Sequence, residues 1–185
     1  DDDGIIPVTE IDWFADDDAT NRFADFLKVV WSAETLEENL RFVAQGLGQK
    51  KNELPMETIR RYIGTGFFKH HLQLYKNRPI YWLFSSGKEH AFQALVYMHR
   101  YHEGTLAKMR VDYVLPLMNR FNARLDTIEE ELKQSEGSAA KKLRKEQEKL
   151  QKQKHELEAY DEQLRHYVDQ RIAIDLDDGV KVNYG

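Results

Sequence analysis

Ser86, Gly87 and Lys88 lie in the stretch RPIYWLFSSGKEHAFQALVYMHRY (residues 78–101), where an apolar run meets a small-residue turn. A serine-glycine-lysine turn behind a strand is where a phosphate-binding loop would sit. That loop needs Gly-x-x-x-x-Gly-Lys-Ser/Thr, with the hydroxyl placed on magnesium. Here the first glycine position is Trp82 and the hydroxyl position is Glu89, whose carboxylate repels phosphate. The same residues match a Ser-x-x-Glu capping box, in which Ser86 and Glu89 each satisfy a backbone group at a helix start. The stretch therefore predicts a helix start. An alternative stays open: the same helix N-terminus holds a nucleic-acid backbone phosphate, assisted by Lys88.

His99 and His102 lie three apart with Glu103 beside them, so one helical turn would present both rings to a metal. The His-Glu-x-x-His order is absent and spacing supplies no third ligand; no metal site is expected. His70 and His71 give no better signal. No serine or lysine has a base placed beside it, and no catalytic residue is assigned.

The third candidate is KKLRKEQEKLQKQK at residues 141–154, with seven basic and two acidic side chains. Lys141, Lys142, Arg144, Lys145, Lys149, Lys152 and Lys154 form either a solvated helix face or a surface that tracks phosphates, whose binding would be sensitive to salt. No aromatic residue is interleaved, so base stacking from this stripe is not expected.

The elements that carry these residues follow from periodicity. Asp16, Asp17 and Asp18 precede a helix with Phe23, Phe26, Leu27, Val30 and Trp31 on one face, where the dipole favours their charge. Ser32 would cap a second helix with Leu36, Leu40, Val43 and Leu47 inward. Pro55 opens a third helix, which Gly64 ends; a short one follows over GFFKHHLQLY. Ile80–Phe84 reads as a strand, followed after the turn by a helix with Phe92, Leu95, Val96 and His99 on one side. A helix from Thr105 should kink or break at Pro116. Beyond it, Phe121, Leu125, Ile128 and Leu132, a turn at 136–138, and Leu143, Leu150, Leu157 and Leu164 at sevens give coiled-coil spacing. Glu146 and Gln153 thin the seam, which suits an antiparallel hairpin whose second helix is about 50 Å long. The tail DLDDGVKVNYG has an Asp-Gly turn and a short alternation of Val180, Val182 and Tyr184.

The expected fold is mainly α: a small helical bundle with a minor β element and a long antiparallel coiled-coil hairpin. Residues 1–115 form the body, with a strand near 80–84; residues 116–173 form the hairpin; residues 174–185 return to the body. The net charge of −5 conceals an acidic start, with eight Asp/Glu and no Lys/Arg in residues 1–18, and a basic stripe. The chain has no cysteine, which rules out disulfides and thiolate zinc sites and fits a reducing cytoplasm. No apolar run approaches the roughly 20 residues of a membrane span. A start without Met, basic n-region or apolar core is no signal peptide and suggests a piece of a longer protein.

RPIYWLFSSGKEHAFQALVYMHRY, GTLAKMRVDYV, LRHYVDQR and DDGVKVNYG together resemble the C-terminal region of large adenine-specific DNA methyltransferases of the BREX phage-defence type, relatives of the fused methylase-endonucleases of type II restriction systems. The resemblance covers at least residues 56–185. It implies methylation of the adenine amine with S-adenosylmethionine, through an Asn/Asp-Pro-Pro-Tyr/Phe motif that holds the flipped base. This sequence has neither that tetrapeptide nor a glycine-rich cofactor loop, so the cofactor is expected in the parent protein and not in these residues. Two roles are left: DNA engagement or target-recognition support through Arg78, Lys88, Arg100, Lys141, Lys142, Arg144, Lys145 and Lys149, or an interaction scaffold. The partners implied are double-stranded DNA, other domains of the same protein and defence-system subunits, in a bacterial cytoplasm.

Overall fold

The computed structural model describes residues 3–173 apart from residue 77; the expected strand of the tail lies outside the described residues. The chain divides into two compact units. Residues 3–84 and 93–101 belong to the first, and residues 85–92 and 102–173 to the second.

In the first unit, β1 (Ile5–Pro7) leads through a 3-10 turn to α1 (Ala19–Trp31). Asp18 is the N-cap of α1, its carboxylate accepting from the Thr20 N–H at 2.9 Å. It does more than cap. Asp18 is fully buried, also accepts from the Thr9 hydroxyl at 3.0 Å, and is paired with Arg60 at 2.8 Å. A carboxylate taken out of water needs such partners, and these tie the start of the chain to α3 (Pro55–Tyr62). Between them lies α2 (Leu36–Gly46), which starts at Thr35 and not at Ser32. Ser32 instead ends α1 in left-handed backbone, at φ 89°. Glu53, ahead of α3, accepts from the Lys50 N–H, the Thr58 hydroxyl and Arg61. Its Arg61 partner, with the bond from the Lys50 backbone, holds its carboxyl down to about 2.

Ala24, Leu27, Leu40 and Ile59 make the core of this helical cluster, flanked by Phe23, Leu36, Val43, Leu47, Met56 and Ile63. The expected apolar face of α1 is only partly correct. Leu27 is buried, but Phe26, Val30 and Trp31 are exposed, as is Val29. The helix turns its narrow Ala24–Leu27 side to α2 and α3, leaving a second apolar strip in solvent. Gly64 does not end α3. A π turn over Ile63–Phe67 carries the helical path into α4 (Phe68–Leu74).

The expected strand near 80–84 is β2 (Tyr81–Ser85). The helix expected after the Ser-Ser-Gly-Lys turn is instead β3 (Gln93–Tyr97). β3 is the middle strand of three and pairs antiparallel with β1, Ile6 opposite Leu95. Gln93, Ala94, Leu95 and Val96 are all buried, so this strand lacks the polar alternation that marks a half-exposed one. Pro7, which cannot donate to a ladder, sits on an edge strand as it must.

In the second unit, α5 (Thr105–Lys108), a π turn over Met109–Val114 and α6 (Leu115–Gln134) form one helical path. Pro116 neither breaks nor ends it. It falls in the first turn of α6, directly behind the π turn, where the altered bonding register relieves its missing N–H. α7 (Gly137–Asp169) returns beside it. Arg124 of α6 grips both Glu146 oxygens at 2.8 and 3.0 Å, and Arg110 grips Asp161 at 2.7 and 3.0 Å, in antiparallel order. Leu117, Phe121 and Ile128 meet Leu150, Leu157 and Leu164 in the buried seam. Tyr160 donates to Met109 Sδ at 3.8 Å. No helix among the described residues is long and apolar enough to cross a membrane.

His71 gives this fold a pH dependence. It is 5% exposed, and its Nε2 accepts from the Ile80 and Tyr81 N–H groups at 3.1 and 3.4 Å. Nδ1 therefore carries the proton of a neutral ring, and burial pushes His71 below its ordinary 6.5. On acidification the unfolded chain takes up a proton that the folded ring refuses. The stability that His71 contributes is thus complete above about pH 6.5 and is lost as the pH falls toward its depressed folded value. The urea midpoint should fall between pH 7 and pH 5, and the fall should be smaller in His71→Gln, which keeps an acceptor but cannot titrate. Equal falls in the two proteins would contradict this role.

Candidate nucleic-acid interface

Around α7 the side chains advance by about 100° per residue. Lys141, Lys145, Lys149 and Lys152 therefore fall within about 80° of one another, with Lys142 at the border of that sector and Arg144 on its other side. The leucine seam occupies the opposite side of the helix. Lys141, Lys142, Arg144, Lys145, Lys149 and Lys152 are all exposed. One carboxylate, Glu148, shares the surface with Lys141, Arg144 and Lys145. Among the described residues Lys141, Lys142, Arg144 and Lys145 have no ion-pair partner, whereas Glu146 on the other side is taken by Arg124. Lys154 lies off the strip, 3.9 Å from Glu158.

The β2–β3 loop lies on the same sector of α7. Ser86 Oγ donates to Glu156 Oε1 at 2.7 Å and accepts from the Phe92 N–H at 2.9 Å. The Glu89 N–H donates to Glu156 Oε2 at 2.7 Å and the Ala91 N–H to Oε1 at 3.2 Å. Gln153 Nε2 donates to the Glu89 carbonyl at 3.0 Å, and the Phe92 ring packs 6.1 Å from that of Tyr160. Thus the Ser-Ser-Gly-Lys turn does receive an anion, and the anion is a carboxylate of its own chain. The expected capping box is absent, because Ser86 and Glu89 serve Glu156 instead of a helix start. Burial alone would raise the Glu156 carboxyl; the Ser86, Glu89 and Ala91 bonds and nearby His90 outweigh it and hold the group below its ordinary range.

Lys88 is carried at the crest of this loop with its side chain 89% exposed, 4.0 Å from Glu89. Lys88 and the α7 cations share the second unit. Arg78 and Arg100 lie in the first unit, both exposed. Glu156 has no signal in the sequence beyond being a polar residue beside a heptad leucine, and Gln153, visible there as a polar residue that thins the seam, is in fact the donor to the Glu89 carbonyl. The remaining candidates are placed in local structure. The His102 Nδ1 accepts from the Gly104 N–H at 3.1 Å, and His99 packs on Tyr97. Among the described residues no group of three His, Asp or Glu is placed to hold a metal ion.

Gly87 explains why the turn has its composition. Its φ of 146° suits glycine, and a Cβ there would stand 2.7 Å from Glu156 Oε2. Gly87→Ala should destabilise the chain by about 1–3 kcal/mol, read as a lower urea midpoint. An unchanged midpoint would show that the loop does not depend on the approach of Glu156.

No profile of a known protein family matches the chain. Two curated relatives do. The chain is 52% identical along its whole length to the adenine-specific methyltransferase BrxX of Escherichia coli O9:H4 (strain HS), of which it covers 16%. Over 98% of its length it is 40% identical to the adenine-specific methyltransferase PglX of Lacticaseibacillus casei (strain Zhang), of which it covers 15%. The chain thus spans less than a fifth of the relatives it matches. By these matches it belongs to the BrxX and PglX group of adenine-specific methyltransferases of BREX systems, and corresponds to a segment of those longer proteins.

Proposed function

We propose that this segment engages double-stranded DNA for an adenine-specific methyltransferase of a phage-defence system. The observation that carries the reading is the cation strip of α7. Among the described residues Lys141, Lys142, Arg144 and Lys145 are exposed and have no ion-pair partner, on a stretch of α7 that buries no residue of its own. Cations grouped on one face are the footprint of phosphate contact, which holds a duplex in place without reading its sequence.

The described residues do not fit S-adenosylmethionine. The three strands are antiparallel, and the glycine turn that follows β2 is filled by Glu156. We assign methyl transfer to none of these residues; the cofactor and the base-holding motif belong to other parts of such a methyltransferase. The role of this segment is to hold and orient the duplex.

A second reading has its own observation. In the first unit Phe26, Val29, Val30 and Trp31 are exposed on α1. A pocket of about 460 Å³ is lined by Ile6, Phe23, Val43, Leu47, Ile63 and Leu95, among others. Exposed apolar side chains and an apolar pocket in one unit suit a scaffold that docks other domains or defence-system subunits.

Titration of a short duplex separates the two. DNA engagement predicts affinity that falls steeply with salt, and loss of binding in the Lys141→Glu, Lys142→Glu, Arg144→Glu, Lys145→Glu variant. No binding at low salt, together with salt-insensitive association abolished by Phe26→Ser and Val30→Ser, would favour the scaffold and remove the DNA reading.

A further inference from the structure

We infer that Glu156 is a positioning residue for DNA: it clamps the β2–β3 loop onto the basic side of α7, so that Lys88 extends the α7 cation strip. This inference rests on the DNA-engaging reading above.

Around α7, Glu156 falls in the sector of Lys145, Lys149 and Lys152, one turn beyond Lys152. From Lys141 to Glu156 the helix rises about 22 Å. Beyond Lys152 the helix itself places no further cation in that sector, and a carboxylate stands there instead. Taken alone, Glu156 would repel a phosphate backbone following the strip. Its carboxylate is partly buried and bonded, however. It is spent on Ser86 Oγ and the N–H groups of Glu89 and Ala91, and the loop that covers it exposes Lys88. Over the anion of the helix the loop thereby sets a more exposed cation, Lys88 at 89% against 32% for its neighbour Glu89.

Three features mark the loop as held and not merely adjacent. Ser86 is bonded from both sides, to Glu156 and to the Phe92 N–H. Gln153, only 8% exposed, takes the Glu89 carbonyl. Gly87, at φ 146°, lets Glu156 approach where a Cβ would stand 2.7 Å from its Oε2. Lys88 lies between these fixed points, so its Cα is defined while its ammonium, 89% exposed and only 4.0 Å from the Glu89 carboxylate at its nearest, can reach a phosphate oxygen as a point charge.

The test is a set of duplex titrations over a range of salt, with the chain as it stands and the variants Lys88→Ala, Glu156→Ala, their double, and Lys145→Ala. Lys88→Ala should weaken binding and lower the salt exponent by about one. Glu156→Ala should weaken it similarly, although it removes a negative charge from the binding face. A purely Coulombic effect has the opposite sign. Adding Lys88→Ala to Glu156→Ala should cost nothing more, while Lys145→Ala should add its effect to either. Tighter or unchanged binding by Glu156→Ala, or a Lys88 effect that survives in its background, would overturn the inference. In that case the charge-reversed α7 variant still fails to bind, which separates this outcome from failure of the DNA reading itself. Circular dichroism monitors folding, and Gln153→Ala, which releases only the Glu89 carbonyl, should show the same trend in smaller degree if Glu156→Ala does not fold.

Discussion

A carboxylate withdrawn from water must be given donors. The second unit is organised around how Glu156 obtains them. It draws a serine hydroxyl and two backbone amides out of the β2–β3 loop, and that demand fixes the loop's composition. Glycine is required where the carboxylate approaches, a hydroxyl where it is met, and a left-handed residue at His90, whose φ is 50°. The first unit solves the same problem once more at Asp18, where a cap residue is also the buried partner of Arg60. In both units an acidic side chain on or beside a helix secures a non-helical segment.

The two solutions differ in what they leave at the surface. Around Asp18 the partners are internal: Thr9, Thr20 and Arg60 are satisfied among themselves, and the result is only a joint. Around Glu156 the captured loop leaves the Lys88 side chain 89% exposed, with Glu89 at 4.0 Å. That side chain connects the packing of the second unit to the charge pattern of α7.

Much of the helical framework was legible because its periodicity is long. The heptad leucines of α7 and the i, i+4 rows of α6 specify an antiparallel pair whatever surrounds them, and Pro55 with Asp18 marks two helix starts by local chemistry. β3 was not legible. Phe92, Leu95, Val96 and His99 have helical spacing, and a central strand covered on both faces shows no alternation to contradict it. The Ser-x-x-Glu box strengthened the wrong choice, since Ser86 and Glu89 have partners 70 and 67 residues away that no local window contains. The outward row of α1 failed for a related reason: periodicity says that apolar residues share a face, not which face the neighbours will take. At the candidate interface the basic residues were visible from composition, while the Glu156 bonds that hold the Lys88 loop were not.

The first third of α7 contributes little to the interior. No residue from Gly137 to Lys149 is buried, and the seam closes only from Leu150 onward. The basic strip is concentrated on this portion. Surface substitutions away from packed or bonded features usually change stability by less than about 0.5 kcal/mol, so charge here can be added, removed or moved by a turn at little cost to folding. This arm of the helix is therefore a place where surface charge can change by drift alone, with the packed seam beyond Leu150 left untouched.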